Sequence, residues 1–127
     1  MAEPTDEELT RFLAEKVMGW TLVEIPDWEH SGHSPYWIDG DGNTYSGSWS
    51  PVTDANDTLM VIEAARNKGW QVETVVGPYD DEDNRWVAEL VRYRGYKADG
   101  FASESADTFQ RTVCLTAYKA IKEADND

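Results

Sequence analysis

This sequence has almost no cysteine and few basic side chains for its acidity. Cys114 is the single cysteine among 127 residues, so no disulfide can form within the chain. Only 11 lysines and arginines oppose 25 aspartates and glutamates, giving a formal net charge of −14. This charge repels phosphate, so we expect no direct binding to nucleic acid or to a membrane surface. The chain has no long apolar run and does not begin with a basic flank before one, so we expect a cytoplasmic protein without an anchor.

Aromatic side chains are abundant despite the high charge. The chain contains six tryptophans, six tyrosines and three phenylalanines, enough to build a core at this length. We expect one domain over residues 1–127, with fraying of residues 1–4 and 123–127. Because tryptophan is large and rarely hidden completely, we expect several of these rings at grooves or pockets. This pattern favours binding over catalysis.

Three segments have the apolar spacing of amphipathic helices. Thr5 and Glu8 form a capping box at the start of the first. Asp54 is expected to cap the second, and Ser105 or Asp107 to begin the last. The residues predicted to face inward on the second and third helices are Leu59, Ile62, Ala65, Val113, Cys114, Ala117, Tyr118 and Ile121.

The segments between the helices are rich in β-branched and aromatic residues, as is typical of strands. Strands are predicted at 20–25, 36–38, 70–76 and 85–92, with a short extended piece near Phe101. Thr44, Tyr45 and later Trp49 are predicted to form the returning strand after 36–38. The turn residues at 39–43 predict a hairpin. The order helix, strand, hairpin, helix, hairpin, helix predicts an α+β fold, with an antiparallel sheet against which helices pack in an α/β/α-type sandwich.

Parts of the chain resemble the phage ABA-sandwich domain, a family of small proteins from tailed phages and prophages. The matching stretches are AEKVMGW at 14–20, WSPVTD at 49–54, and the closing segment 101–120, in which Ala106-Asp107-Thr108 precedes Cys114, Ala117 and Ala120. The resemblance implies an α+β sandwich and an accessory role, such as counter-defence, in which the protein sequesters a host factor. The family has no established catalytic or binding residues, so the resemblance assigns no role to individual residues here.

Two groups of residues have the composition of a ligand site. The hairpin aromatics can form a stacking platform or a protein-binding surface, and core packing is the competing explanation. One basic patch interleaved with aromatics can stack a base and pair with a phosphate, or can be a solvated strand end. The candidate ligand-binding residues are Tyr36, Trp37, Tyr45, Trp49, Arg92, Arg94, Tyr96 and Lys97. The leading hypothesis is a non-enzymatic protein that binds a host protein or a nucleotide-like small molecule. Exposed aromatic residues are also compatible with a homodimer.

Two predicted loops supply further hypotheses. An acidic loop can imitate nucleic acid and block a basic host protein. Its residues are Asp80, Asp81, Glu82 and Asp83. A second loop contains His30 and His33, which suggests a small hydrolase, although no nucleophile can be placed beside them. The start of an EF-hand loop is copied by Asp39, Asp41 and Asn43, but the glycine and the final glutamate of that loop are missing, so we expect a hairpin turn here. Elsewhere in the sequence we also expect neither a metal ion nor a cofactor.

Overall fold

Two groups of antiparallel strands lie between helices along the chain. The computed structural model describes residues 3–24, 35–76, 86–94 and 96–125. These residues form the helices α1 (Asp6–Phe12), α2 (Ala55–Asn67) and α3 (Phe109–Asp125), and the strands β1 (Thr21–Val23), β2 (Tyr36–Ile38), β3 (Thr44–Ser46), β4 (Trp70–Val76), β5 (Trp86–Arg94) and β6 (Lys97–Ala106). A π-helical segment, Leu13–Val17, continues α1 directly. The α+β class predicted from the sequence is confirmed. Within the described ranges, no helix is long and apolar enough to cross a membrane.

The strands form two three-stranded antiparallel sheets where the sequence predicted one. The first sheet has the order β1-β2-β3, with Trp37 opposite both Leu22 and Tyr45. The second has the order β4-β5-β6, with Leu90 opposite both Val72 and Ala102. Each sheet pairs only strands that follow one another in the chain, and α2 separates the two sets in sequence.

The extended piece expected near Phe101 is instead the ten-residue strand β6. Its alanine, glycine and serine content gives it a weak intrinsic preference for strand, and pairing with β5 along its length stabilises it. Two bulges bend the second sheet. Glu73 is the extra residue in β4, and Asp99 is the extra residue in β6.

The predicted caps of the first two helices are confirmed. The Thr5 hydroxyl accepts the N–H of Glu8 at 3.2 Å, and the Glu8 carboxylate accepts the N–H of Thr5 at 3.1 Å. At α2, Asp54 accepts the N–H groups of Asn56 and Asp57 at 2.8 and 3.2 Å. These bonds satisfy amide groups that have no partner within a helix.

The predicted inward face of α2 is wrong at Leu59. Leu59 is 55% exposed, whereas Thr58, Val61 and Ala65 are buried. Burial of a threonine is tolerated because its hydroxyl donates to the carbonyl oxygen of Pro51 at 2.6 Å. A satisfied polar residue therefore occupies the inward position that hydropathy alone had assigned to the leucine.

The last helix begins later than predicted. Ser105 still belongs to β6, and the side chain that caps α3 is Thr108, whose hydroxyl accepts the N–H of Arg111 at 3.1 Å. The helix also continues through residues 123–125, which were expected to fray. Its buried stripe includes Val113, Cys114, Ala117 and Ile121, as predicted.

Most of the described tryptophans belong to the core, and three of them also line surface grooves with a small part of their rings, as expected from the sequence. Trp20, Trp37, Trp49 and Trp70 are between 3% and 6% exposed. Trp86 is half-buried and lies with its ring centroid 5.8 Å from that of a phenylalanine at the start of α3. The indole rings therefore serve packing first.

Gly47 is required by a close backbone approach between the loop after β3 and the residue before β2. A Cβ atom at this position would overlap the carbonyl oxygen of Pro35. At Gly40, in the hairpin turn, a Cβ atom would meet no atom within 4 Å. The two glycines are a matched pair for substitution, since both are exposed and only Gly47 has no room for a Cβ atom.

We expect Gly47→Ala to lower the free energy of unfolding by about 2 kcal/mol, because two backbone segments must move apart. Gly40→Ala is the control and is expected to change it by less than about 0.5 kcal/mol. Urea denaturation followed by tryptophan fluorescence measures both. Equal stability of the two variants would show that the approach of Gly47 to Pro35 is not a constraint.

Candidate binding site

A groove of about 850 Å³ lies between α1, the first sheet and the loop after β3. Its apolar wall comes from Leu22, Pro35, Tyr36 and Trp37. Tyr36 is half-buried, whereas Trp37 is 4% exposed and therefore presents little of its ring. A space of this size is typical of sites that hold a small molecule or a short segment of chain.

Serine side chains line the groove along the loop after β3. The hydroxyls of Ser46 and Ser48 lie 2.7 Å apart, and the N–H of Ser48 donates to the hydroxyl of Ser46 at 3.1 Å. The N–H of Ser50 donates to the carboxylate of Asp57 on α2 at 2.9 Å. These bonds fix the loop, so its hydroxyls form a pre-organised polar rim.

The α1 side of the groove carries charged residues. Arg11 pairs with Glu15 at 3.1 Å, and Asp6 pairs with Arg111 of α3. Glu7 also lines the groove, and its side chain has no hydrogen bond or ion pair with any other described residue. One carboxylate is thus left for a ligand on a wall whose other charges are paired.

Trp20 connects the hairpin aromatics to the rest of the core. Its ring stacks on Tyr45 with 4.0 Å between centroids and 13° between planes. Trp49 meets Trp20 edge to face at 4.8 Å and is 6% exposed. The Nε1 atom of Trp49 is buried without an acceptor among the described residues. Tyr45 and Trp49 therefore support the groove by packing, and neither lines its wall.

The hairpin turn is organised by Asp39. Its carboxylate accepts the N–H groups of Asp41 and Asn43, both at 2.9 Å, and the hydroxyl of Tyr45 at 3.0 Å. Hydrogen bonding from the Asn43 side chain lowers the pKa of Asp39, and the hydrogen bond to Asp39 raises the pKa of Tyr45. This confirms the predicted tight turn, in which hydrogen bonds occupy both carboxylate oxygens of Asp39, the first of the three EF-hand-like residues.

The basic patch lies on the second sheet and is largely occupied by contacts within the chain. Arg92 pairs with Asp99 at 2.8 Å, and its guanidinium lies 5.0 Å from the centroid of the Trp70 ring. Tyr96 and Lys97 are exposed. The side chain of Arg94 falls outside the described residues. The structure therefore divides the predicted ligand residues between two sheets, and of these only Tyr36 and Trp37 line the groove.

The residues of the other two hypotheses lie outside the described ranges. These are Asp80, Asp81, Glu82 and Asp83 of the acidic loop, and His30 and His33. Where the structure does describe the chain, no three His, Cys, Asp or Glu residues lie close enough together to hold a metal ion.

Sequence reasoning missed the charged and hydroxyl groups of the groove. Glu7 and Thr10 belong to the outer face of α1, where polar residues are ordinary. The available signal was the run Ser46-Gly47-Ser48, which is unusually rich in small polar residues beside aromatic ones.

The chain matches no protein-family model, no curated protein and no solved structure. The resemblance to the phage ABA-sandwich domain family therefore stays a prediction from the sequence.

We expect Asp39→Asn to bring the pKa of Tyr45 down toward its ordinary value of 10.0, because the anionic acceptor is lost. The pKa of Asp39 is lower in the folded protein than its ordinary value of 3.8. Its carboxylate therefore contributes fully to stability above pH 3.8, and this contribution is lost as the pH falls through the folded-state pKa. NMR titration of the tyrosine Cζ resonances measures the first effect. Tyr93, whose pKa is raised by Glu73, is the internal control. An unchanged titration of Tyr45 would contradict the hydrogen bond from its hydroxyl to Asp39.

We expect Cys114 to resist alkylation by iodoacetamide in the folded protein at neutral pH. Burial raises the pKa of its thiol to about 12, so almost no thiolate is present. The same protein unfolded in urea is expected to react fully, as mass spectrometry would show. Rapid labelling of the folded protein would overturn the interpretation of Cys114 as a small apolar core residue.

Proposed function

We propose that this chain is a non-enzymatic binding protein that holds part of a host factor in the groove between α1 and the first sheet. The observation that carries the proposal is the convergence of Tyr36, Leu22 and Pro35, all half-buried, with a hydrogen-bonded serine rim around a space of about 850 Å³. Aromatic walls contribute binding free energy through buried area, and fixed hydroxyls orient the polar groups of a ligand.

The charges of the groove favour a neutral or cationic ligand over a phosphate. Arg11 and Asp6 already have partners, and the carboxylate of Glu7 has none among the described residues. The net charge of −14 adds a long-range field of the same sign. Of the two ligand classes suggested by the sequence, a host protein that inserts a basic or aromatic side chain fits better than a nucleotide-like molecule.

The biological setting of the proposal comes from the sequence resemblance. A phage or prophage accessory that sequesters a host protein needs a firm fold and a preformed site, and needs no catalytic group. The groove meets the second requirement because its serine rim is bonded within the loop and to α2.

Two small probes with the same ring and opposite charge test the groove directly. We expect tyramine to shift the NMR amide signals of residues 46–50 at lower concentration than 4-hydroxyphenylacetate does, because Glu7 attracts the ammonium group. Glu7→Arg is expected to reverse this preference. Glu123→Arg, on the exposed side of α3, makes the same charge change outside the groove and is expected to retain it.

Equal shifts from both probes in the unsubstituted protein would contradict the proposed ligand charge. Ser48→Trp is expected to fill the groove and abolish both responses. Persistence of the shifts in that variant would place the binding elsewhere. Conversion of either a probe or a co-purified ligand over several turnovers would end the non-enzymatic proposal.

A further inference from the structure

A second surface lies where α2 meets β4, and it shares no lining residue with the groove. β4 is one of the two edge strands of the second sheet, in the order β4-β5-β6 among the described residues. Within the described residues, β4 pairs with β5 alone, so its other side presents N–H and C=O groups without a strand partner. Such an edge is a template for another extended chain.

A cleft of about 460 Å³ lies between β4 and the helix that precedes it. One wall is α2, through Ile62 and Arg66, and the other is the beginning of β4, through Gln71 and Val72. Gly69 turns the chain between the two walls with a φ of +93°, which a residue with a side chain rarely adopts. Helix and strand are therefore held side by side by a short, fixed connection.

The chemistry of the cleft specifies its occupant. Ile62 and Val72 are half-buried, and Leu59, one helical turn away, is 55% exposed. Arg66 is exposed, and its side chain has no hydrogen bond or ion pair with any described residue. As far as the chain is described, an open strand edge, an apolar wall and an unpaired guanidinium occur together, and they suit an extended peptide that carries an apolar residue and a carboxylate.

We propose that β4 accepts an extended segment of a partner protein as an added strand, and that an acidic side chain of this segment pairs with Arg66. A second copy of the chain fits less well, because two molecules of charge −14 repel each other. A short acidic segment avoids most of this repulsion, since charges beyond about 8 Å are screened at physiological salt. The proposal does not depend on the groove between α1 and the first sheet.

Selection from a display library of random nine-residue peptides on the immobilised full chain tests this proposal. We expect enriched peptides to alternate β-branched residues with at least one aspartate or glutamate. With Arg66→Glu as bait, we expect lysine or arginine to replace the acid, and the original peptides to bind at least about tenfold more weakly. Lys68→Glu makes the same charge change two residues away, outside the cleft, and is expected to leave the selection unchanged.

Hydrogen exchange then locates the bound peptide. We expect the selected peptide to slow exchange of β4 amides, and its analogue N-methylated at alternate residues to bind weakly because it cannot pair with a strand. Absence of enrichment, or the same peptides from the unsubstituted and Arg66→Glu baits, would overturn the proposal. Slow β4 exchange in a dimer without peptide would do so too, since a second copy would then occupy the edge.

Discussion

The packing of two aromatic rings on Trp20 is the contact on which the first sheet depends. Strands of three residues do not form a stable sheet by themselves, so the first sheet needs support from the rest of the core. Trp20 supplies it by stacking on Tyr45 of β3 and by meeting Trp49 edge to face. The position of the groove depends on this packing, because Tyr45 and Trp49 are sequence neighbours of the serines that form its rim.

The backbone before Trp20 explains how its ring reaches that place. A π-helical segment follows α1, and the N–H of Trp20 donates to the carbonyl oxygen of Ala14 at 2.8 Å. Gly19 makes this closure feasible with a φ of +76°. Wide π turns are rare and commonly occur near functional sites. Here the π turn lies between the helix that lines the groove and the residue that anchors the opposite wall.

Unpaired charges distinguish the two surfaces from the acidic exterior. Arg92 and Arg111 are engaged by carboxylates of their own chain, and Arg92 also covers the Trp70 ring. Glu7 in the groove and Arg66 in the cleft remain without partners among the described residues. A net negative charge sets solubility and long-range attraction, whereas such single unpaired groups determine which ligand charge is accepted at contact.

The sequence by itself determined the features that neighbouring residues create, such as the caps at Thr5 and Asp54 and the turn at Asp39, because their hydrogen bonds close within a few residues. It also determined the α+β class, through the order of periodic segments. Only the tertiary structure decided that Thr58 is buried and Leu59 exposed, that β6 runs for ten residues, and that Trp49 supports the groove without lining it. Burial and strand pairing depend on partners distant in sequence, and local patterns do not encode which partner a residue will meet.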